Sequence, residues 1–474
     1  MTSLVAYGTY VPHYRLRRSA IGDLLGTAAG GGTRAVASYD EDSTTLGTAA
    51  ALAALEGCPD ALPHVRSLLF ATATPPYADK TNAAAVHAAL GLPAQALAVD
   101  MAGAVRSGAG ALHLAARADE DTLVVLSDVR TGAPGSPDER AGGDAAAAFL
   151  FGDGSRRPAL AEVLARASVT HEVMDRWRAP GASAASASEE RFTEQIHVPA
   201  AEAAFDEALR QAGLEGGDID HVAVAGLHQR ALKSVAARLG VRTGRAPAKS
   251  AGVLAGTVGN PGTAQPGLLL ADALDRARPG ERIALVVLGD GAWVLLLEAG
   301  EGLAAGRPAV PVADRAAAGD DTLSYGDYLT WRGFLFRQPQ ARPVPAAPAA
   351  PPAWRQVDWK FGLVAGRCTD CGTRALPPAR LCSGCRSVDR MAEERLAGVQ
   401  ATVVTHTVDH LAHSPHPPLI LAVVEFDGGG RFRCELTDAR AEEVRSGMRV
   451  AMTFRRMLTS DGVHNYFWKA RPVR

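Results

Sequence analysis

Four cysteines carry the sharpest chemical signal in the sequence. Cys368 with Cys371 and Cys382 with Cys385 form two Cys-x-x-Cys pairs with ten residues between them, in CTDCGTRALPPARLCSGC. Each pair can chelate one metal from a tight knuckle, and four soft thiolates in tetrahedral order suit zinc. Because protein ligands would fill every position, the expected zinc is structural, with no site open to substrate. A redox dithiol explains two pairs at this spacing less well than one metal does. Cys58 and Cys434 stand alone. The histidines at 406, 410, 413 and 416 resemble a second ligand set, but a proline-rich loop follows them and no acidic or thiol partner has matching spacing. A solvated strand and loop is the expectation there.

These residues sit on a chain of 474 residues, long enough for more than one core. With 47% hydrophobic and 21% charged residues, it is too apolar for a disordered chain and too evenly charged for a membrane protein. The longest apolar runs are short strands, and the N-terminus, MTSLVAYGTYVPHYRLRR, alternates like a first strand and lacks a signal-peptide layout, so a cytoplasmic protein is expected. The net charge of -2 is a sum of opposites: from Lys360 onward 17 basic residues face 12 acidic ones, leaving +5 there and -7 before it. Between the two parts lies PQARPVPAAPAAPPA, residues 339–353, whose six prolines predict an extended spacer with no helix or sheet.

Within the larger part, two stretches repeat one order of elements. The first predicts helix 42–55, strand 67–71, helix 82–90, a small-residue helix 107–118, and strands 122–128 and 145–151. The second predicts helix 199–212, strand 221–225, helix 232–239, an apolar helix 263–278, and strands 282–289 and 293–298. TLVVLSD and IALVVLGDG occupy matching slots. The duplication implies two similar α/β halves related by a pseudo-dyad, each with a late helix sandwiched between layers.

This layout, with VAYGTYVPHYRLRR, FATATPPYADKTNAAAVHAALGL, DMAGAVRSGAGALHLAAR, VGNPGTAQPGLLLADAL and VVLGDGAW, resembles the thiolase superfamily over residues 1–335. The motifs are most similar to the 3-hydroxy-3-methylglutaryl-CoA synthase and ketoacyl synthase III branch. The resemblance implies a duplicated thiolase fold (layered αβαβα), a homodimer and acyl-CoA as ligand. Members acylate a cysteine at a helix N-terminus, where the dipole lowers the thiol pKa. Val105 stands at that position, and Ala73 stands where the synthases carry an acidic general acid/base. Neither Cys58 nor Cys434 lies in a motif that could substitute. Asn260 matches the family asparagine, expected to donate to a thioester oxygen or a water. For the family histidine two registers are open, Ala225 or His228. Gly289 and Gly291 match a strand end whose N–H groups face the thioester oxygen in relatives. Tyr325 and Tyr328, in LSYGDYLTWRGFLFRQP, are expected to pack or dock.

Beyond the cysteines, predicted strands 399–409, 419–426 and 431–436, a short helix 441–446 and strands 449–456 and 465–470 follow OB-fold order. Together the cysteine ribbon and OB-fold resemble the acyl-CoA-associated domain that accompanies thiolase-type enzymes. The expected domains are 1–165 and 166–335 for the thiolase-like halves, 336–353 for the linker, 354–395 for a rubredoxin-like zinc ribbon and 396–474 for the OB-fold. Two functions follow from the resemblance. One is acyltransferase- or aldolase-like chemistry on a CoA thioester without an acyl-cysteine. The other is a non-catalytic scaffold that activates a partner thiolase. A third, binding of single-stranded nucleic acid by a basic OB-fold, is weakened because Tyr466, Phe467 and Trp468 are consecutive in one strand and cannot share a face.

Overall fold

A computed structural model describes residues 2–28, 30–154, 156–246, 249–338, 346–412 and 414–474, so His413 and part of the proline-rich segment lie outside the described residues. The chain forms two compact units, one of Met1–Ala37, Asp42–Ala84 and Leu92–Tyr328, the other of Ser38–Glu41, Ala85–Gly91 and Leu329–Arg474.

The first unit is organised by one nine-stranded sheet. At its middle Thr2–Tyr10 runs antiparallel to Ala161–Thr170, with Ser3 opposite Glu162 and Leu4 opposite Ala161. Outward from that pair one side continues through Asp144–Asp153, Thr122–Val129 and Ser67–Thr72, and the other through Gly291–Ala299, Arg282–Leu288 and His221–Ala225. The directions match as well, because the last two strands on each side are parallel and the inner steps antiparallel. The duplication foreseen in the sequence is therefore a physical repeat. Leu97–Ala102, a strand the sequence pattern did not mark, extends the first side. It is anchored by Asp100, whose carboxylate accepts from the backbone N–H groups of Asn82 and Ala83, both at 2.7 Å.

Helices supply the other layers. Ser43–Glu56 covers Thr2–Tyr10 and Asp144–Asp153, and its start is fixed by a capping box in which Asp42 accepts from Thr45 N at 3.0 Å while Thr45 Oγ1 accepts from Asp42 N at 2.9 Å. Glu190–Ala212 covers Ala161–Thr170 and Gly291–Ala299 in the second half. The two late helices, Arg106–Ala115 and Gln265–Arg276, each touch strands of both halves and form the central layer. Gly108 is required there, since a Cβ on it would lie 2.9 Å from the carbonyl oxygen of Thr263. The predicted helix 199–212 in fact begins at Glu190, with Pro199 inside it. Thr193, His197, Ala201, Phe205 and Leu209 form one buried i, i+4 stripe, whose first two members are polar and precede Pro199, where the sequence pattern begins the helix.

In the second unit the expectation of an entirely non-helical linker is corrected. Ala350–Arg355 is helical, with Pro351 and Pro352 in its first turn, where the missing N–H groups have no intrahelical acceptor to lose. The ribbon strands Val364–Cys368, Arg374–Ala375 and Met391–Arg395 pair around the cysteines. Ala401–Asp409, Leu419–Phe426, Arg431–Leu436, Val463–Pro472 and Arg449–Ser460 close into a barrel in that order. The predicted helix 441–446 is only a 3-10 turn, Ala441–Glu443. Tyr466 and Trp468 are buried, whereas Phe467 points to the other face and packs against Trp359 and Phe432, so the three aromatics do not share one face.

A buried ion cluster ties Ser38–Glu41 to this barrel. The Arg455 guanidinium lies 3.1 Å from Asp40, 2.7 Å from Glu41 and 2.6 Å from Asp438, while Lys469 Nζ lies 2.9 Å from Asp40 and 2.7 Å from Glu435. Burial opposes ionisation of Asp40, but the charges of Lys469 and Arg455 outweigh it and hold the carboxyl below its ordinary range. Arg455→Met would leave buried carboxylates uncompensated and is expected to cost about 3–5 kcal/mol, measured by urea denaturation.

Candidate functional site

One cavity of about 120 Å³ in the first unit gathers the residues with chemical potential. Its walls include Ala73 at the end of Ser67–Thr72, Val105 at the N-cap of Arg106–Ala115, His228 at the N-cap of Gln229–Thr243, and Gly289 and Asp290 beyond Arg282–Leu288. The N-terminus of that helix thus borders the cavity and presents a valine to it. Cys58 and Cys434 are elsewhere, and burial pushes the Cys434 thiol up to about 12.

The polar centre is Asp175. Its Oδ2 accepts from His197 Nε2 at 2.8 Å and from His228 Nε2 at 3.1 Å, and the two imidazoles are stacked with centroids 5.5 Å apart. Burial disfavours the Asp175 carboxylate, yet the two histidine hydrogen bonds prevail and hold it below the usual carboxylate range. His197 Nδ1 also lies 3.0 Å from the carbonyl oxygen of Gly291, so both its ring nitrogens face oxygen atoms. The ligand atoms of Asp175, His197 and His228 lie within 4.8 Å of one another, a set that could also hold a metal.

Asp290 is the second acidic group. Its φ of 46° is left-handed, unusual for a residue other than glycine, and its carbonyl accepts from Arg106 at 2.6 Å. Burial, and then the negative charge of Asp175, push the Asp290 carboxyl up, with Arg106 partly offsetting them. Two carboxyls in one cavity are thus tuned in opposite directions, the arrangement that separates acid from base roles.

Several expected site residues fall into place differently. His228 lines the cavity, whereas Ala225 is fully buried in the core. Asn260 lines a second cavity of about 750 Å³ and not this one, its Nδ2 donating to Gly226 O at 2.7 Å and its Oδ1 accepting from Gly262 N at 3.0 Å. The amide locks the turn. Gly289 lines the cavity, but its N–H donates to Gly291 O at 3.1 Å and is spent there. Gly291 stands behind the wall; a Cβ on it would lie 2.1 Å from Val169 O, so packing explains the glycine. Tyr325 donates to Glu139 at 3.0 Å and Tyr328 accepts from Arg34 at 3.1 Å, which are packing roles, as expected.

Asp175, His197 and Asp290 were missed by sequence reasoning. The i, i+4 stripe from Thr193 would have found His197, and the aspartate inside LGDGA was passed over for its glycines. No local pattern marks Asp175.

In the second unit Cys368 Sγ lies 3.6 Å from Cys385 Sγ, and Cys371 Sγ lies 3.5 Å from Cys382 Sγ. These separations exceed the roughly 2.05 Å of a disulfide and approach the edge, about 3.8 Å, of a tetrahedron with zinc–sulfur bonds of about 2.3 Å. The four thiols fit one zinc ion. His406 and His410 lie on a barrel strand and its loop, and His416 packs against Tyr39 and Trp331.

Known proteins echo both units. The chain is 30% identical over 303 residues to the hydroxymethylglutaryl-CoA synthase of Pyrococcus furiosus, covering 61% of this chain and 83% of that protein. It is 32% identical over 126 residues to a DUF35 domain-containing scaffold protein of Methanocaldococcus jannaschii, covering 26% of this chain and 89% of that protein. The family model described as the C-terminal OB-fold domain of ChsH2 matches residues 393–455. Among solved structures, HMG-CoA synthase complexed with CoA aligns with TM-score 0.58 and 18% identity, covering 72% of this chain and 92% of that one, a likeness of fold. The chain therefore belongs to the hydroxymethylglutaryl-CoA synthase family of thiolase-fold proteins, fused to a DUF35-type unit that ends in an OB-fold.

Proposed function

We propose that this protein acts on an acyl-CoA thioester without forming an acyl-cysteine, by non-standard acyl transfer or by aldol or retro-aldol chemistry at carbon. One observation carries the reading: the cavity that holds Val105 and Ala73 retains an Asp175–His228 pair and a separately tuned Asp290. Asp175 accepts the Nε2 proton of His228 and so leaves Nδ1 with the lone pair, the tautomer of a general base. In the condensation direction His228 takes the proton from the α-carbon, the enolate carbon bonds to the acceptor carbonyl, and Asp290 in its neutral form gives a proton to the alkoxide so formed; in the cleavage direction His228 takes the hydroxyl proton, the carbon–carbon bond breaks, and Asp290 gives a proton to the released enolate. The ribbon binds one structural zinc ion. A homodimer in the cytoplasm belongs to the same reading.

Incubation with a panel of acyl-CoAs followed by intact-protein mass spectrometry is expected to show no added acyl mass. A stable thioester adduct would sink the reading. The similarity to a scaffold protein favours a second one, in which the chain activates a cysteine-bearing thiolase. Turnover by the purified protein alone excludes that second reading; turnover only after such a partner is added supports it.

A further inference from the structure

Besides the ribbon cysteines, the described residues hold a second set spaced for one metal ion: Asp175, His197 and His228. Three separate elements bring it together, since Asp175 follows Ala161–Thr170, His197 lies inside Glu190–Ala212 and His228 is the N-cap of Gln229–Thr243. Their side chains are 6%, 0% and 8% exposed, so water does little to solvate them. Protons alone satisfy this set only at a cost. A carbonyl oxygen can only accept, so the contact of His197 Nδ1 with Gly291 O is a hydrogen bond only when Nδ1 carries the proton. A neutral ring then turns the Nε2 lone pair toward Asp175 Oδ2, 2.8 Å away and itself an acceptor. Two acceptors so close repel unless positive charge lies between them, and a second proton on His197 makes a fully buried imidazolium.

A divalent ion meets the same need with more charge and with three bonds. Around an ion with bonds of about 2.0–2.2 Å, neighbouring ligand atoms stand roughly 2.9–3.4 Å apart. Asp175 Oδ2 lies 2.8 Å from His197 Nε2 and 3.1 Å from His228 Nε2, close to that spacing. The Gly291 carbonyl beside Nδ1 is the outer partner that orients a histidine ligating through Nε2. Two imidazole nitrogens and one carboxylate oxygen suit zinc or cobalt(II) better than magnesium or calcium. Three protein ligands leave a coordination position open, and Asp175 and His228 place it on the cavity.

We infer that Asp175, His197 and His228 form a second metal site, which takes a divalent transition-metal ion reversibly. It has fewer ligands than the ribbon, and Arg106, Arg130, Arg176 and Arg178 on the cavity wall oppose further positive charge, so it is the weaker of the two and empties on dialysis against a chelator. Loading rearranges the protons: His197 releases its Nε2 proton to solvent, and His228, ligating through Nε2, keeps its one proton on Nδ1. No lone pair is then left on His228 to take a proton from a substrate, so the ion switches the base off. That effect rests on the acyl-CoA reading above; the site itself does not.

Cobalt(II) tests the site when added to the full chain with zinc already in the ribbon and the excess removed by dialysis. One further equivalent is expected to bind, with visible d–d absorption and without the sulfur-to-cobalt charge transfer of a thiolate site. Asp175→Asn, which keeps the shape, and His197→Gln are each expected to weaken binding by more than the roughly 10- to 100-fold that loss of an outer partner costs. Absence of the further equivalent in the wild type overturns the site without any variant. Unchanged affinity in both variants overturns the assignment to these residues, and thiolate charge transfer puts the cobalt in the ribbon and overturns it as well. Turnover of an acyl-CoA is expected to fall along the same saturation curve and to return with a chelator. Turnover that ignores full loading overturns the switch and leaves the site standing; no turnover with or without cobalt overturns the catalytic reading, and the absorbance still decides the site.

Discussion

Replacing Cys371 with alanine is expected to release the metal and unfold the ribbon, the largest effect of any single substitution in this chain. The three ribbon strands comprise 5, 2 and 5 residues, and between residues 364 and 391 the buried side chains are few: Ala365, Cys368 and Cys382. So small a core cannot offset the conformational entropy of ordering the knuckles. A structural zinc ion contributes about 10–16 kcal/mol of apparent binding energy in comparable peptides, and that energy is folding energy here. Elemental analysis should find one zinc per wild-type chain and none in Cys371→Ala. Limited proteolysis should then cut within residues 364–395, and a variant that keeps its metal and its protection would refute the structural role.

His228→Ala is expected to lower turnover by roughly 10²- to 10⁴-fold, the range lost with a general base. Asp175→Asn should act in the same direction, because the amide can donate to His228 and so favour the wrong tautomer. Asp175 itself is held ionised, below the ordinary carboxylate range, so it does not titrate where the rate is measured. Asp290 does the opposite. A rate that needs its neutral carboxyl falls as pH rises through its elevated pKa, and Asp290→Asn is expected to remove that limb of the profile. In the scaffold reading, none of these three substitutions changes the turnover of the partner.

The parts legible in the sequence share one property: they depend on neighbours along the chain. Cys-x-x-Cys spacing, the alternation of strands such as Leu419–Phe426 and the repeat of TLVVLSD in IALVVLGDG are local patterns, and each appears in the structure. Val105 could be placed at a helix N-terminus for the same reason. The proline-rich segment misled because proline is disfavoured in helix interiors but accepted in their first turn, and composition alone does not distinguish the two.

What the sequence by itself determined is therefore the architecture and the spacing of the four cysteines that the structure brings together. Only the tertiary structure decided which polar groups meet. Asp175 follows the central strand Ala161–Thr170, His197 lies on a helix outside the sheet, and His228 and Asp290 stand beyond the ends of neighbouring parallel strands. It also showed where the Asn260 amide is anchored, donating to Gly226 O and accepting from Gly262 N. A hydrogen bond between residues 53 positions apart leaves no periodicity to read, since its geometry is set by sheet order and packing, and not by spacing along the chain.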